Sequence, residues 1–273
     1  MKLALGTAQW GMNYGMNNST GITSNGDIKK ICSLSKKEKI DMIDTASGYG
    51  NSEKRIGKLL IKDFKVVSKF GKIDKNGSIR YQLEKSLLNL RLNRIYGYLF
   101  HDIKDLTNNL NYWDELKLLK ASGKISKIGY SIYEVEELEF LIENKCIPDI
   151  VQLPFNILDR KFLNYFKMLK KMKVEIHIRS IFLQGLIFKE LINLKGNLKA
   201  FKRPLKLIDK IAKEFVTKIH DIAIHYPFSI TDIDYIVVGL DNFAQLQQFF
   251  EKLKKPINKD IFKSIEEIKL NKK

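Results

Sequence analysis

Short apolar runs alternate along the chain with longer stretches in which apolar residues recur at helical spacing. The short runs read as strands: Leu3–Thr7, Asp41–Asp44, Lys65–Lys69, Tyr96–His101, Lys127–Ser131, Asp149–Leu153, Glu175–Ser180 and Tyr235–Gly239. The stretches between them read as helices. After the third strand, Ile79, Leu83, Leu87 and Leu90 fall on one face. A helix after the second strand starts at Asn51 or Ser52, carries Glu53 in its first turn and buries Ile56, Leu59 and Leu60. A long helix is expected near Leu205–Tyr226, and a last one over residues 242–255. Strands alternating with helices call for a parallel sheet. Eight such units in 273 residues suit a (β/α)8 TIM barrel, which takes about 250 residues. The rival is an open doubly wound sheet, which places G-x-G-x-x-G after its first strand. Here that strand runs into "GTAQWGMNYG", which lacks the spacing. No Pro- or Gly-rich linker and no repeat interrupts the pattern. The expectation is an α/β protein, one barrel domain over residues 1–273.

Barrels of this kind carry their chemistry at the C-terminal ends of the strands. Strand two ends at Asp44, strand three at Lys69 and strand four at His101, and Tyr49 lies in the loop after strand two. Each has a plain explanation alone. Asp44 could bond loop backbone, Lys69 could reach the surface, His101 could be a satisfied core histidine and Tyr49 a packing aromatic. Four such placements on successive units are harder to explain that way. A phenol is a poor proton donor at neutral pH, its reference pKa being about 10. A neighbouring lysine ammonium is expected to lower that value, an aspartate to hold the lysine charged, and a histidine to bond a carbonyl oxygen. The set suits proton donation to an oxygen that becomes an alkoxide. No nucleophile and no metal-ligand cluster is visible, so a hydride carrier is the expected co-reactant.

Composition changes the picture little. The net charge of +17 invites a nucleic-acid reading. Yet only seven of the 48 basic residues are arginines, the residue that forks onto bases and phosphates, and the lysines are scattered over helix faces such as "KKICSLSKKEK". We read a solvated basic surface and no nucleic-acid partner. No run reaches membrane-spanning length, and the apolar start "MKLALGTAQW" is too short for a signal-peptide core. Cys32 and Cys146, each in an expected helix, have no metal-ligand spacing and suggest a reducing cytoplasm.

On these residues the chain resembles the aldo-keto reductase superfamily along nearly its whole length. "IDTASGYGNSE" is similar to the signature D-T-A-x-x-Y-G-x-S-E. "LGTAQWG", "VVSKFG", "YLFHD", "KIGYS", "VQLPFNILDR" and "VVGLDNFAQL" resemble further strand ends and loops of that family. The resemblance implies a carbonyl reductase that uses NADPH or NADH and a small aldehyde, ketone or sugar-derived carbonyl. It implies that Asp44, Tyr49, Lys69 and His101 form a catalytic tetrad with Tyr49 as the acid. Ser131 and Gln152 would hold the nicotinamide carboxamide, and Arg179 and Ser180 would border the ring and pyrophosphate. Gly239, Asn242, Gln245 and Gln248 would approach the adenosine end. Gly6, Thr7 and Ala8 would floor the site, and Trp10 would wall the substrate pocket.

The sequence also departs from the family pattern. Ile132 replaces the usual asparagine after Ser131. No Lys or Arg lies between Gly239 and Glu251 to meet a 2′-phosphate, and Asp241 points toward NAD. The N-terminal hairpin that plugs many such barrels is expected to be missing, and the tail after Pro256 is short. Residues 185–204 carry Lys189, Lys195, Lys199, Lys202 and Arg203 beside apolar Leu191, Ile192, Leu194 and Phe201. They read as an ordinary surface helix or, more sharply, as a lid with cations for the cofactor phosphates. Two other functions stay open: a non-catalytic nucleotide-binding or regulatory subunit, and a lyase using Lys69 as a Schiff base.

Overall fold

The computed structural model describes residues 2–16, 18–59, 61, 63–73, 78–188 and 194–268. Leu60, Lys189, Leu191 and Ile192 lie outside them. Eight parallel strands close on themselves: β1 (Lys2–Gly6), β2 (Met42–Asp44), β3 (Lys65–Phe70), β4 (Ile95–Phe100), β5 (Ile125–Ser131), β6 (Ile150–Pro154), β7 (Glu175–Arg179) and β8 (Tyr235–Gly239). β1 pairs with both β2 and β8. Closure excludes the open doubly wound sheet. The expected strands are all present, displaced by at most two residues at an end.

Helices cover the outside of the barrel. Several begin on the side chains that favour a helix start. Ser24 accepts from Asp27 N at 3.0 Å, Ser78 from Tyr81 N at 3.1 Å and Asn242 from Gln245 N at 3.1 Å. The apolar stripe Ile79, Leu83, Leu87 and Leu90 is buried against the strands as expected. Inside the barrel, Ala4, Met42, Val67, Leu99, Ile150 and Val237 fill a second, separate apolar layer. The interior is therefore packed, and only its rims are left to polar groups.

Three helix expectations are corrected. The long helix near Leu205–Tyr226 is two helices, Lys202–Glu214 and Ile219–Ser229. Val216 between them has φ 51°, a left-handed conformation that no helix continues through. Cys146 lies beyond the helix Val135–Glu143 rather than in it. The tail after Pro256 holds a further short helix, Asp260–Glu266, buried through Ile261, Phe262 and Ile265.

At the N-terminal rim, where a hairpin plug was expected to be missing, β1 begins at Lys2 and no strand precedes it among the described residues. Charged and aromatic side chains occupy this rim. Tyr96 Oη donates to Glu175 Oε2 at 2.9 Å, His177 Nε2 lies 2.7 Å from Glu175 Oε1, and Lys127 pairs with the same carboxylate. Lys65 pairs with Asp41 at 3.0 Å, and the ring of Tyr96 lies 5.3 Å from the ammonium of each of Lys65 and Lys127. None of the described helices is long and apolar enough to cross a membrane.

Candidate active site

Strand register assembles the opposite rim. Gly6 stands beside Asp44 on one flank and beside Gly239 on the other. Ser131 stands beside Gln152, and Pro154 beside Arg179. These strand ends enclose a cavity of about 640 Å3, within the roughly 300–1,000 Å3 usual for small-molecule sites. Close backbone contact positions the Tyr49 loop. A side chain on Gly11 would overlap Tyr49 O, and one on Gly50 would overlap Gly11 O. Gly50 also adopts φ +56°, so glycine is required at both.

Asp44, Lys69, Tyr49 and His101 meet at the floor of this cavity. Lys69 Nζ lies 2.6 Å from Asp44 Oδ1 and donates to Thr45 O at 2.9 Å. The ammonium sits 5.3 Å from the centre of the Tyr49 ring, and the His101 ring meets that ring edge-on at 5.5 Å. Gln152 Nε2 donates to Asp44 Oδ2 at 2.7 Å, so both carboxylate oxygens are held. A hydroxyl network missed by the sequence reading fixes the backbone behind them. Thr7 Oγ1 donates to Asp44 O at 3.0 Å, and Ser52 Oγ lies 2.8 Å from Thr7 Oγ1 and 3.1 Å from Thr45 Oγ1. Ser52 is thus buried and is not the helix cap; that place belongs to Asn51.

The electrostatics differ from expectation at Tyr49. Burial, and then the Asp44 carboxylate, push its phenol well above the ordinary value, with Arg179 opposing. The net direction is upward even though the Lys69 ammonium lies 5.3 Å from the centre of the ring. Burial pulls the Lys69 ammonium down while Asp44 opposes. Burial and then the Lys69 charge pull His101 down to about 4, so its imidazole is neutral near pH 7 and can still donate one hydrogen bond. The floor therefore offers a protonated phenol and a neutral imidazole.

Most other predicted residues border the same cavity: Gly6, Thr7, Ala8, Ser131, Gln152, Arg179 and Ser180 around the floor, and Gly239, Gln245 and Gln248 at the far end. Ser180 holds φ 65°, which Asn156 Nδ2 supports by donating to Ser180 O at 3.2 Å. Two predicted residues fall elsewhere. Trp10 is packed in the core rather than on the cavity wall, because the helical turn Ala8–Gly11 turns Ala8 and Gln9 to the cavity and Trp10 away from it. Asn242 caps the helix Phe243–Lys254, with its side chain turned to its own backbone. Gln245 borders the cavity, yet its amide is closed on Asp241 in both directions. Ile132, in place of an asparagine, is fully buried, and its carbonyl accepts from Arg179 Nη2 at 3.1 Å.

Residues outside the predicted set also border the cavity. Gln9 does so with its amide oxygen buried and unpartnered. Lys252 follows Gln245, Gln248 and Phe249 on one helix face, and the three- and four-residue spacing from Gln248 could have revealed it. Of the cations in the supposed lid, Lys195, Lys199, Lys202 and Arg203 do not border the cavity, whereas Gly185 and Phe188 do. The segment is not the single surface helix expected either: its described residues form 3-10 turns over Leu183–Phe188 and Gly196–Phe201 and then enter the helix that starts at Lys202. Among the described residues no group of three His, Cys, Asp or Glu side chains is disposed to hold a metal.

Solved structures share this architecture. An aldo-keto reductase from Bacillus halodurans in its holo form superposes with a TM-score of 0.77 at 20% identity, covering 97% of this chain and 91% of that one. A glycerol dehydrogenase from Gluconobacter oxydans superposes with a TM-score of 0.72 at 20% identity, covering 97% and 90%. At such identities these likenesses speak for the fold alone. No curated protein matches the chain. The profile of the aldo/keto reductase family matches residues 2–270. That match spans all eight strands and every residue of the cavity floor, and the chain belongs to the aldo/keto reductase family.

Proposed function

We propose that this protein reduces an aldehyde or ketone to an alcohol with a nicotinamide dinucleotide. The observation that carries the reading is the meeting of Tyr49, Lys69, Asp44 and His101 at the cavity floor. The residues around it fit such a cofactor. Gln152 donates one amide hydrogen to Asp44 and borders the cavity, its Oε1 being an acceptor in the same amide; beside it, the Ser131 hydroxyl can donate or accept. The two suit a carboxamide. Where β1 meets β8, Gly6 and Gly239 expose bare backbone, and the Gln9 amide oxygen lacks a partner. A side chain at Gly239 would come within 2.9 Å of that amide. At the far end, Asp241, Gln248 and Lys252 offer contacts for a ribose and its phosphates.

When bound, the dinucleotide supplies the hydride. Tyr49 donates its phenolic proton to the carbonyl oxygen, the raised pKa keeping that proton in place until charge develops there. Neutral His101 donates a hydrogen bond to the same oxygen and orients it. Lys69, fixed by Asp44 and Thr45 O, lies beside the Tyr49 ring and stabilises the phenolate formed as the proton leaves. Packing at Gly11 and Gly50 keeps the Tyr49 loop from moving away. A Schiff-base role for Lys69 is disfavoured by the same geometry, since its nitrogen is buried and already engaged twice.

Titration of intrinsic fluorescence with NADPH and NADH, followed by turnover of a panel of aldehydes and ketones, tests the reading. Binding of at least one cofactor and its oxidation in the presence of a carbonyl are expected. Binding without oxidation by any carbonyl would favour a regulatory role, and product trapped on Lys69 by borohydride would favour the lyase.

A further inference from the structure

Among the described residues, the lysine and arginine cations that border the cavity are paired with carboxylates except at one place. The Asp44 carboxylate is occupied by Lys69 and Gln152, Asp241 accepts from Gln245 Nε2 at 2.9 Å, and Lys252 faces Asp221 at 3.5 Å. Arg179 also borders the cavity, and among the described residues no carboxylate pairs with it. Its guanidinium is nonetheless fixed. Nη2 donates to Ile132 O at 3.1 Å, and the guanidinium carbon lies 4.0 Å from the centre of the Tyr133 ring. One hydrogen bond engages one of five donors, so the rest of the fork is open. A guanidinium held by stacking but not neutralised is preorganised for a carboxylate or phosphate.

Its direction separates it from the cofactor's far end. Arg179 leaves β7 and reaches across β6 toward the end of β5, to Ile132 and Tyr133. Gly239, Asp241 and Lys252 lie on the other side, around β8. Tyr14 borders the same part of the cavity from the loop after β1, and Tyr14, Tyr133 and Arg179 all act electrostatically on Tyr49. The outer wall beside the proton donor is thus two exposed phenols flanking one open cation.

We propose that Arg179, flanked by Tyr14 and Tyr133, receives an anionic group of the carbonyl substrate, so that the enzyme acts on aldehydes or ketones bearing a carboxylate or phosphate. This rests on the carbonyl-reductase reading. The anion anchors one end of the substrate at the outer wall while its carbonyl oxygen lies against Tyr49 and His101.

Matched substrates test it: succinic semialdehyde against butanal for the carboxylate, and glyceraldehyde 3-phosphate against glyceraldehyde for the phosphate. The wild-type protein is expected to prefer one anionic member by about tenfold or more in kcat/KM, mostly through KM, the scale of one charge-assisted contact. Which pair shows the preference identifies the anion. In Arg179→Gln the ratio within that pair should collapse toward one, and Arg179→Lys should restore part of it. A wild-type ratio near one in both pairs would overturn the proposal, as would an Arg179→Gln variant that loses cofactor affinity and keeps the ratio. Calorimetric titration of the NADP+-loaded and NAD+-loaded protein with 4-(hydroxymethyl)benzoate and its neutral amide needs no turnover. If no carbonyl is reduced, the reductase reading fails, and Arg179-dependent preference for the benzoate still decides the anion site. Equal binding of benzoate and amide would then overturn it.

Discussion

Lys69 Nζ stands 2.6 Å from Asp44 Oδ1, and both side chains are almost wholly out of water, at 1% and 3% exposure. Each charge is tolerable there because the other is present. Lys69→Met should therefore lower stability, by the roughly 3–5 kcal/mol seen when one partner of a buried pair is removed, and should abolish most activity. The double variant Asp44→Asn, Lys69→Met should regain part of the stability and none of the activity. Urea midpoints measure the first effect. A double variant no more stable than Lys69→Met would contradict a mutually dependent pair.

Tyr49→Phe removes the proton donor and leaves the ring against His101 and Lys69. Carbonyl reduction should fall by about a hundred- to ten-thousandfold, while cofactor affinity measured by fluorescence stays close to wild type. Reduction near the wild-type rate would remove Tyr49 from the acid role.

His101 gives the stability a pH dependence of definite sign. Its folded pKa is about 4, below the unfolded value of about 6.5. The unfolded chain thus takes up the proton first, and stability is lost as pH falls from about 6.5 toward 4, by up to about 3 kcal/mol. His101→Gln should flatten Tm against pH across that window. An unchanged slope would mean that the imidazole titrates normally.

Glu175 does the same at lower pH and at the opposite rim. Burial alone would raise its carboxyl, but bonds from His177 and Lys127 override that and hold it at about 2. The stability it contributes is present above the ordinary carboxylate value of about 4.5 and is lost as pH falls through 2. Glu175→Gln should reduce stability at pH 7 by up to about 3 kcal/mol and should reduce the acid sensitivity between pH 4.5 and 2. Its distance from the cavity floor means that kcat should be little affected in the folded fraction. Equal urea midpoints at pH 7 would show that the rim network contributes nothing net.

Lys252 is the cation that borders the cavity beside Gln248, paired only at 3.5 Å with Asp221. If it meets a 2′-phosphate, Lys252→Gln should weaken NADPH by about tenfold, the scale of one charge-assisted bond, and leave NADH nearly unchanged. Added salt should mimic the change. The lid hypothesis makes the matching claim for Lys202 and Arg203. Since neither borders the cavity, replacing both with Gln should leave the ratio of the two affinities unaltered.

The alternation of apolar runs and helical stripes was sufficient to specify the barrel. Burying eight short apolar strands under amphipathic helices leaves few solutions, and a first strand without a phosphate-binding glycine pattern removed the main competitor. The floor residues were legible for a related reason: Asp44, Lys69 and His101 each end a buried strand, and a closed parallel barrel brings strand ends to one rim. What the linear pattern could not contain is decided by contacts across the chain. Trp10 turns into the core while Ala8 and Gln9 of the same helical turn border the cavity. The expected long helix breaks where Val216 takes a left-handed conformation. The phenol of Tyr49 rises rather than falls because it is buried and faces the Asp44 carboxylate. Ser52, Gln9 and Lys252 acquire their places only when β1, β2 and the last barrel helix are brought together. Proximity of residues distant in sequence sets pairing and desolvation, and desolvation sets the charge states on which the chemistry depends.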